Sequence, residues 1–391
     1  MIPNFTSFHV MIKPFSSICN LKCQYCYYIS KKELYPNSNY MMSNEILEKF
    51  TKQYIESQEV PEVTFSWQGG EPTLMGIEFY EKAIQYQKKF INQGIKVQNT
   101  LQTNGTLLTE EWARFFKKND FLIGISIDGP PDLHDEYRVD NKGNPTSDQV
   151  VSGLAKLKKY EVEFNILTCV HAANEQYPLD VYKYLKNDLE ATFIQFIPVV
   201  ERNKYEGVSN FSVTGKQYGS FLKTVFEEWV KYDVGRIFIQ IFEVALAAWL
   251  DLPINLCILT PTCGNALALE HNGNIYACDH FVTPNHFRGN LLEQSLREIV
   301  YSPAQKEFGM SKSKLLPRKC LECEVRFVCN GGCPKNRFLS TEDRNSGLNY
   351  LCEGYKMFFS YIDPYMKYMA DEIKKSRPAT NIMKFLRENP F

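Results

Sequence analysis

The sequence predicts an α/β fold: a partial (β/α)6 TIM-like barrel followed by a cysteine-rich C-terminal domain carrying a β-hairpin and helices. Three observations lead there. Between about residues 7 and 200, six short apolar runs rich in β-formers alternate with longer amphipathic stretches, the pattern of repeated βα units around a parallel sheet. The residues richest in chemistry follow those runs, where ligands of such sheets bind. After about residue 210 the alternation stops, and cysteines crowd the stretch from Cys257 to Cys352.

The first strand is expected over 8–14 (FHVMIKP), and the loop after it carries Cys19, Cys23 and Cys26. A helix near 43–58 leads to a strand at 62–67 and the turn Gln68-Gly69-Gly70-Glu71-Pro72. A helix near 76–93 precedes the strand 96–103, which ends in Gln102-Thr103-Asn104-Gly105. After a helix near 109–119, the strand 121–128 ends in Ser126-Ile127-Asp128-Gly129-Pro130. Helices near 147–160 and 176–187 alternate with strands at 161–170 and 192–199. Cys169, inside the apolar strand 161–170, reads as a buried small hydrophobe. Four loops should therefore converge on one rim. Beyond them come helices at 215–233 and 238–251 and a hairpin from Ala266 to Cys278 turning at His271-Asn272-Gly273-Asn274. A last helix is expected at 354–376. The expected domains are 1–235, with a core at about 7–200, and 236–391.

With 391 residues, 44% of them hydrophobic, the chain can bury two or three cores. Lys plus Arg (44) nearly cancels Asp plus Glu (45), so no basic field exists to hold nucleic acid or an anionic membrane. No run approaches the ~20 apolar residues of a membrane span, and the start lacks the pattern of a signal peptide. A cytoplasmic location follows as the expectation. The 12 cysteines, clustered in metal-ligand spacings, are then reduced thiolates rather than disulfides.

Cys19-x3-Cys23-x2-Cys26 offers three thiolates from one loop. Wrapped around a cubane, each reaches a different iron and the fourth iron stays open to a ligand, whereas a closed cluster only moves electrons. A structural zinc with a distant fourth ligand fits the spacing too. The surroundings favour iron: Tyr25, Tyr27 and Tyr28 fill the loop, and Gly69 and Gly70 should let a ligand approach the backbone. An open iron is also fragile in oxygen, which fits an anaerobic setting. In this context CxxxCxxC, with Tyr25 just before the last cysteine, resembles the signature of the radical S-adenosylmethionine superfamily. The resemblance implies that S-adenosylmethionine chelates the open iron and that Gly69-Gly70-Glu71 holds its amino group. By the same likeness Ser126 and Arg138 bind its ribose and carboxylate, with Tyr28 and Gln68 as further cofactor contacts. Reductive cleavage would then release a 5′-deoxyadenosyl radical that abstracts a hydrogen atom.

Eight further cysteines read Cys257-x5-Cys263-x9-Gly273-x4-Cys278, then Cys320-x2-Cys323-x5-Cys329-x3-Cys333, then Cys352. They make two complete sets of four, and spacing leaves iron-sulfur clusters and zinc both open. The series resembles the SPASM extension of radical enzymes. That resemblance implies two auxiliary 4Fe-4S clusters, hence three clusters in all. Cys257, Cys263, Cys278 and Cys333 would hold the first, and Cys320, Cys323, Cys329 and Cys352 the second. A substrate radical that passes its electron to a closed cluster must also lose a proton. Asp279, directly after Cys278, is the expected base, and the neighbouring His280 is expected to tune the cluster or pack.

Cys278-Asp279, Gln68-Gly69-Gly70-Glu71-Pro72-Thr73, Leu101-Gln102-Thr103-Asn104-Gly105, the cysteine series and the length make the chain similar to the anaerobic sulfatase-maturating enzymes. That family oxidises a Cys or Ser within a C/S-x-P/A-x-R motif of a sulfatase to Cα-formylglycine. The resemblance implies a sulfatase polypeptide as substrate and an electron donor such as flavodoxin or ferredoxin. It also places Gln102, Thr103 and Asn104 on the substrate side of the barrel mouth. Two other readings use the same residues. A SPASM enzyme installing a thioether or carbon-carbon crosslink in a ribosomal peptide shares the cofactors, but often has a leader-binding domain before the barrel, and here the first strand starts within ten residues of Met1. A zinc-stabilised binding or scaffold protein shares the thiol spacing, and iron content separates it.

Overall fold

In a computed structural model of the chain, which describes residues 7–91, 94–203, 207–340 and 346–389, all six expected barrel strands form. They are β1 (His9–Lys13), β2 (Glu62–Trp67), β3 (Lys96–Thr103), β4 (Phe121–Ser126), β5 (Phe164–Val170) and β6 (Phe193–Pro198). The helices Asn44–Glu56, Ile77–Phe90, Glu110–Lys118 and Ser147–Lys159 lie between them. The last two residues of the helix expected at 76–93 fall outside the described residues. Side-chain caps fix two helix starts: the hydroxyls of Ser43 and Thr109 accept the N–H groups of Ile46 and Trp112. Later strands are β7 (Phe238–Ile239), β8 (Ala266–Glu270), β9 (Asn274–Tyr276) and β10 (Phe287–Asn290). This is the α/β, partial TIM-like architecture the alternation predicts.

The chain divides into two compact units. The first comprises Met1–Ser126, Arg138–Phe164 and Cys263–Met310; the second comprises Ile127–Tyr137, Asn165–Thr262 and Ser311–Phe391. Each draws on residues from both sides of position 235.

In the first unit the strand order is β10-β9-β8-β1-β2-β3-β4. β1 to β4 and β8 run parallel, and β9 and β10 add antiparallel edges. The predicted hairpin, β8 and β9, thus continues the barrel sheet, with β8 paired to β1 from His9↔Ala266 through Lys13↔Glu270. The core beneath is aromatic: buried Trp67 stacks on Phe65 and meets Phe79 and Tyr80 edge-on. The Trp67 indole N–H donates to Asn99 Oδ1 at 2.9 Å, and Asn99 donates to Gln87 Oε1 at 2.9 Å, so these buried polar groups are satisfied.

In the second unit β5, β6 and β7 are parallel neighbours. The helix Gly215–Tyr232 starts in a Thr214/Gln217 capping box and packs on the helix Cys352–Lys374, which begins two residues before the sequence suggests. Glycine permits that contact, since a Cβ on Gly354 would stand 1.8 Å from the carbonyl oxygen of Gly215. A short antiparallel pair, β11 (Arg337–Ser340) and β12 (Ser346–Asn349), was not foreseen. Among the described residues no helix is long and apolar enough to cross a membrane.

Candidate active site

The cysteine loop leaves β1 through two tight turns, in which Ser16 N–H donates to Lys13 O and Ile18 N–H to Phe15 O, each at 3.1 Å. The Gly69-Gly70-Glu71 turn, at the end of the neighbouring strand β2, clamps it. Gly70 N–H donates to Ser16 O at 2.7 Å and Glu71 N–H to Ile18 O at 2.8 Å. A Cβ on Gly70 would stand 2.0 Å from Ile18 O, and one on Gly69 2.6 Å from Ser16 O. These glycines have a structural reason to lack side chains: the backbone of the cysteine loop fills the space a Cβ would take.

Glu71 is wholly buried. Its carboxylate accepts from Thr73 N–H at 3.0 Å, the Thr73 hydroxyl at 2.7 Å, the Thr103 hydroxyl at 2.8 Å and Asn104 N–H at 2.8 Å. Burial raises its pKa despite these donors. Asn104 in turn donates from Nδ2 to Asn20 Oδ1 at 2.9 Å and to Cys19 Sγ at 3.7 Å. Glu71, Thr103 and Asn104 thus spend their side chains on one another and on the cysteine loop, so the expected cofactor role of Glu71 and the substrate roles of Thr103 and Asn104 do not describe these contacts. Gln102 is half-buried on β3.

Leu21 N–H donates to Cys19 Sγ at 3.3 Å. Burial, with Glu71 next and the thiols of Cys23 and Cys26 adding to it, pushes Cys19 up to about 12, so the three thiols sense one another. The Arg138 guanidinium lies 5.5 Å from the centre of the Tyr25 ring, which brings Arg138 against the loop. Ser126 is buried at the end of β4.

Asp279 follows Cys278 in a short 3-10 turn and is buried. Lys13, the last residue of β1 and equally buried, forms an ion pair with Oδ1, and the Tyr27 hydroxyl donates to Oδ2. Burial works to raise the carboxyl, but Lys13, His280 and Tyr27 outweigh it and hold Asp279 below the usual carboxylate range. Lys13 Nζ also donates to Gln68 Oε1 at 3.5 Å and lies 4.6 Å from the centre of the Tyr28 ring. The Tyr28 hydroxyl donates to buried Glu270, which meets His271 Nδ1 at 3.1 Å. Lys13 and Glu270 were missed in the sequence, and Tyr27 was read only as filling the cysteine loop. The one signal was a lysine closing an otherwise apolar strand. His280 packs on the Tyr27 ring at 5.0 Å.

Also in the first unit, buried Gln305 donates to the carbonyls of Gly264 at 2.8 Å and Ala277 at 2.9 Å, tying together the backbones beside Cys263 and Cys278. In the second unit Cys320, Cys323, Cys329 and Cys352 line a single cavity of about 110 Å³. Burial pushes Cys329 up to about 12, with Cys352, Cys320 and Cys323 adding to it. Cys352 opens its helix, where the dipole favours negative charge. Cys257 is exposed and Cys333 half-buried in the same unit. Among the described residues no three His, Cys, Asp or Glu groups are placed to hold one metal ion. Cys169 is half-buried rather than fully buried, and its N–H donates to Asp128 Oδ1 at 2.9 Å.

The chain is similar to known proteins. Residues 14–185 match the model of the radical SAM superfamily, and residues 261–324 match that of the SPASM iron-sulfur cluster-binding domain. The chain is 45% identical to a serine-type anaerobic sulfatase-maturating enzyme of Bacteroides thetaiotaomicron, covering 97% of this chain and 95% of that one. It is 36% identical to a cysteine-type enzyme of Clostridium perfringens, covering 93% and 99%. The solved structure of native anSMEcpe with bound AdoMet and Cp18Cys peptide superposes with a TM-score of 0.84 at 36% identity, over 93% of this chain and 99% of that one.

Proposed function

The chain belongs to the anaerobic sulfatase-maturating enzymes, and we propose that it oxidises an active-site Cys or Ser of a sulfatase to Cα-formylglycine. The observation that carries this reading is Asp279, a buried carboxylate kept ionised by Lys13 and Tyr27 and adjoining the thiol of Cys278. That pairing puts a proton acceptor beside a cluster ligand.

The residues fit the cofactors this reaction needs. Cys19, Cys23 and Cys26, coupled in one loop and unopposed by a fourth thiol of their own, would hold an open 4Fe-4S cluster. S-adenosylmethionine would lie against Gly69 and Gly70, offering their backbone to its amino group, with Tyr28, Gln68, Ser126 and Arg138 around it. Glu71 supports that turn from behind. Cys257, Cys263, Cys278 and Cys333 would hold one closed cluster. Cys320, Cys323, Cys329 and Cys352, which share a cavity, would hold the other. When bound, these groups supply abstraction of a substrate Cβ hydrogen and a sink for the electron left behind.

Asp279 accepts the thiol or hydroxyl proton. Its two oxygens are aimed by different donors, Lys13 from β1 and Tyr27 from the cysteine loop, so the carboxylate cannot rotate away from its task. Gln102 remains the candidate substrate contact on β3. Flavodoxin or ferredoxin is the proposed electron donor and the cytoplasm the proposed location.

Anaerobic incubation with S-adenosylmethionine, a reductant and a sulfatase-motif peptide tests the reaction. Mass spectrometry should read a loss of ~18 Da from a Cys peptide or ~2 Da from a Ser peptide, with reactivity toward aldehyde reagents. A ~2 Da loss from a Cys peptide that resists those reagents would point instead to a crosslinking enzyme.

A further inference from the structure

In the second unit, a groove at the amino-terminal ends of β5 and β6 serves no step described above. On β6, Phe196 turns toward the helix Gly215–Tyr232, its ring 5.2 Å from that of Phe221, so Phe193 and Gln195 point to the opposite face. Leu167 of β5 pairs with Gln195, which puts Asn165 on that face too. In a barrel whose helices lie outside, this is the interior face. There Asn165, Phe193, Gln195, Phe238, Gln240 and Glu243 help line a groove of about 400 Å³. Its chemistry is one-sided. Glu243, half-buried on the helix Gln240–Trp249, takes part through its carboxylate in no hydrogen bond or ion pair among the described residues, and burial alone raises its pKa. The Oδ1 of Asn165 is buried and accepts no hydrogen bond. Gln195 and Gln240 add amides whose oxygens can accept, and no lysine or arginine lines the groove. The rings of Phe193 and Phe238 stack at 4.9 Å and 14°, yet Phe193 stays 48% exposed.

We infer that this groove is a subsite for an arginine side chain of the polypeptide substrate. The inference rests on the function proposed above and adds to it a place that reads the substrate's sequence. A buried acceptor left without a donor costs free energy, and a guanidinium brings five N–H donors together with a flat face. The donors meet Glu243 and Asn165 Oδ1, and the face lies on the ring of Phe193. A lysine ammonium would offer a point charge and nothing to stack. Reach agrees with this occupant. Gln195 lies three residues before the end of β6, about 10 Å at ~3.3 Å per residue, and substrates of such barrels react at the carboxyl ends of the strands. An extended polypeptide with its reacting residue there brings a side chain about three or four residues away down to the groove.

The test is steady-state kinetics of the anaerobically reconstituted full chain on two sulfatase-motif peptides. One carries the motif arginine, and the other carries citrulline in its place, which keeps the shape and removes the charge. Citrulline should raise KM about 10–100-fold, the worth of hydrogen bonds to a charged group, with kcat held. E243Q should raise KM for the arginine peptide as far and should no longer tell the two peptides apart. A wild-type enzyme that takes both peptides with equal KM, or an E243Q variant that keeps the wild-type preference, overturns the inference. Should E243Q fail to fold or to hold iron, Q195E carries the test. A second carboxylate in the groove should widen the preference for arginine, and an unchanged preference overturns the inference. Formylglycine from neither peptide would overturn the reaction reading itself, a result distinct from any ratio of KM values.

Discussion

Asp279 can take a proton only if it stays ionised while buried, and Lys13 is what makes that affordable. Asp279→Asn keeps the shape and removes the proposed base, so S-adenosylmethionine cleavage should continue while formylglycine formation falls by about 10²–10⁴-fold, the usual worth of a positioned base. Counting 5′-deoxyadenosine against formylglycine checks this, and parallel loss of both would displace Asp279 from the role. Lys13→Met leaves a buried carboxylate unpaired, which should cost about 3–5 kcal/mol in denaturant unfolding. A variant as stable as wild type would mean that water or another cation compensates. The thiols carry a pH signature. Cys19 and Cys329 are both pushed up to about 12 by burial, so each must shed a proton to bind metal. Iron loading should release protons and strengthen as pH rises from 7 to 8.5. In the metal-free chain the sign reverses: the folded state holds these protons between about pH 8.5 and 12 where the unfolded chain releases them, so its stability falls as pH rises through that window.

At the scale of elements, much was legible because spacing is a one-dimensional signal. Six strands and the 266–278 hairpin could be read from apolar runs and an Asn-Gly turn, and fixed intervals single out the eleven cysteines proposed as cluster ligands. Less legible was which way a polar strand end faces. Glu71, Thr103 and Asn104 look alike in sequence whether they meet a ligand or a neighbouring loop, and here Thr103 and Asn104 bond the Glu71 carboxylate while Asn104 reaches the cysteine loop. The Lys13–Asp279 pair was invisible because it depends on β8 pairing with β1 in one register, which no local pattern encodes. The Gly70 contact gives the sharpest element-scale test. Gly70→Ala sets a methyl 2.0 Å from Ile18 O, displacing the loop that carries Cys19, Cys23 and Cys26. Reconstituted G70A should lose one cluster's worth of iron and its S-adenosylmethionine cleavage while keeping the auxiliary clusters' EPR signals. Full cleavage activity in G70A would show that the loop tolerates the shift.

At the scale of the whole molecule, composition suggests a radical domain ending near residue 235 and a separate cluster domain after it, yet the first compact unit recruits Cys263–Met310 into its own body. The recruited segment supplies β8, which covers β1 along its full length, and its Leu267, Leu269, Ile275, Leu291, Leu296, Ile299 and Val300 are buried in the same core as Phe50, Phe65 and Trp67. Burying side chains of this size is worth about 1.5–3 kcal/mol each, hence roughly 10–20 kcal/mol for the segment, as much as the entire net stability of about 5–15 kcal/mol typical of a domain. A fragment ending at residue 262 would also expose β1 as an unpaired edge, an invitation to aggregate. It should therefore fail to give a cooperative unfolding transition, whereas the intact chain should melt cooperatively under the same anaerobic conditions. Near-ultraviolet circular dichroism and hydrogen exchange distinguish the outcomes, because the aromatic core reports directly on native packing. A soluble fragment with native-like protection in β1 and β2 would mean that the barrel strands stand alone. The burial of the hairpin argues that they do not: the segment that brings Asp279 to the barrel is also part of what folds it.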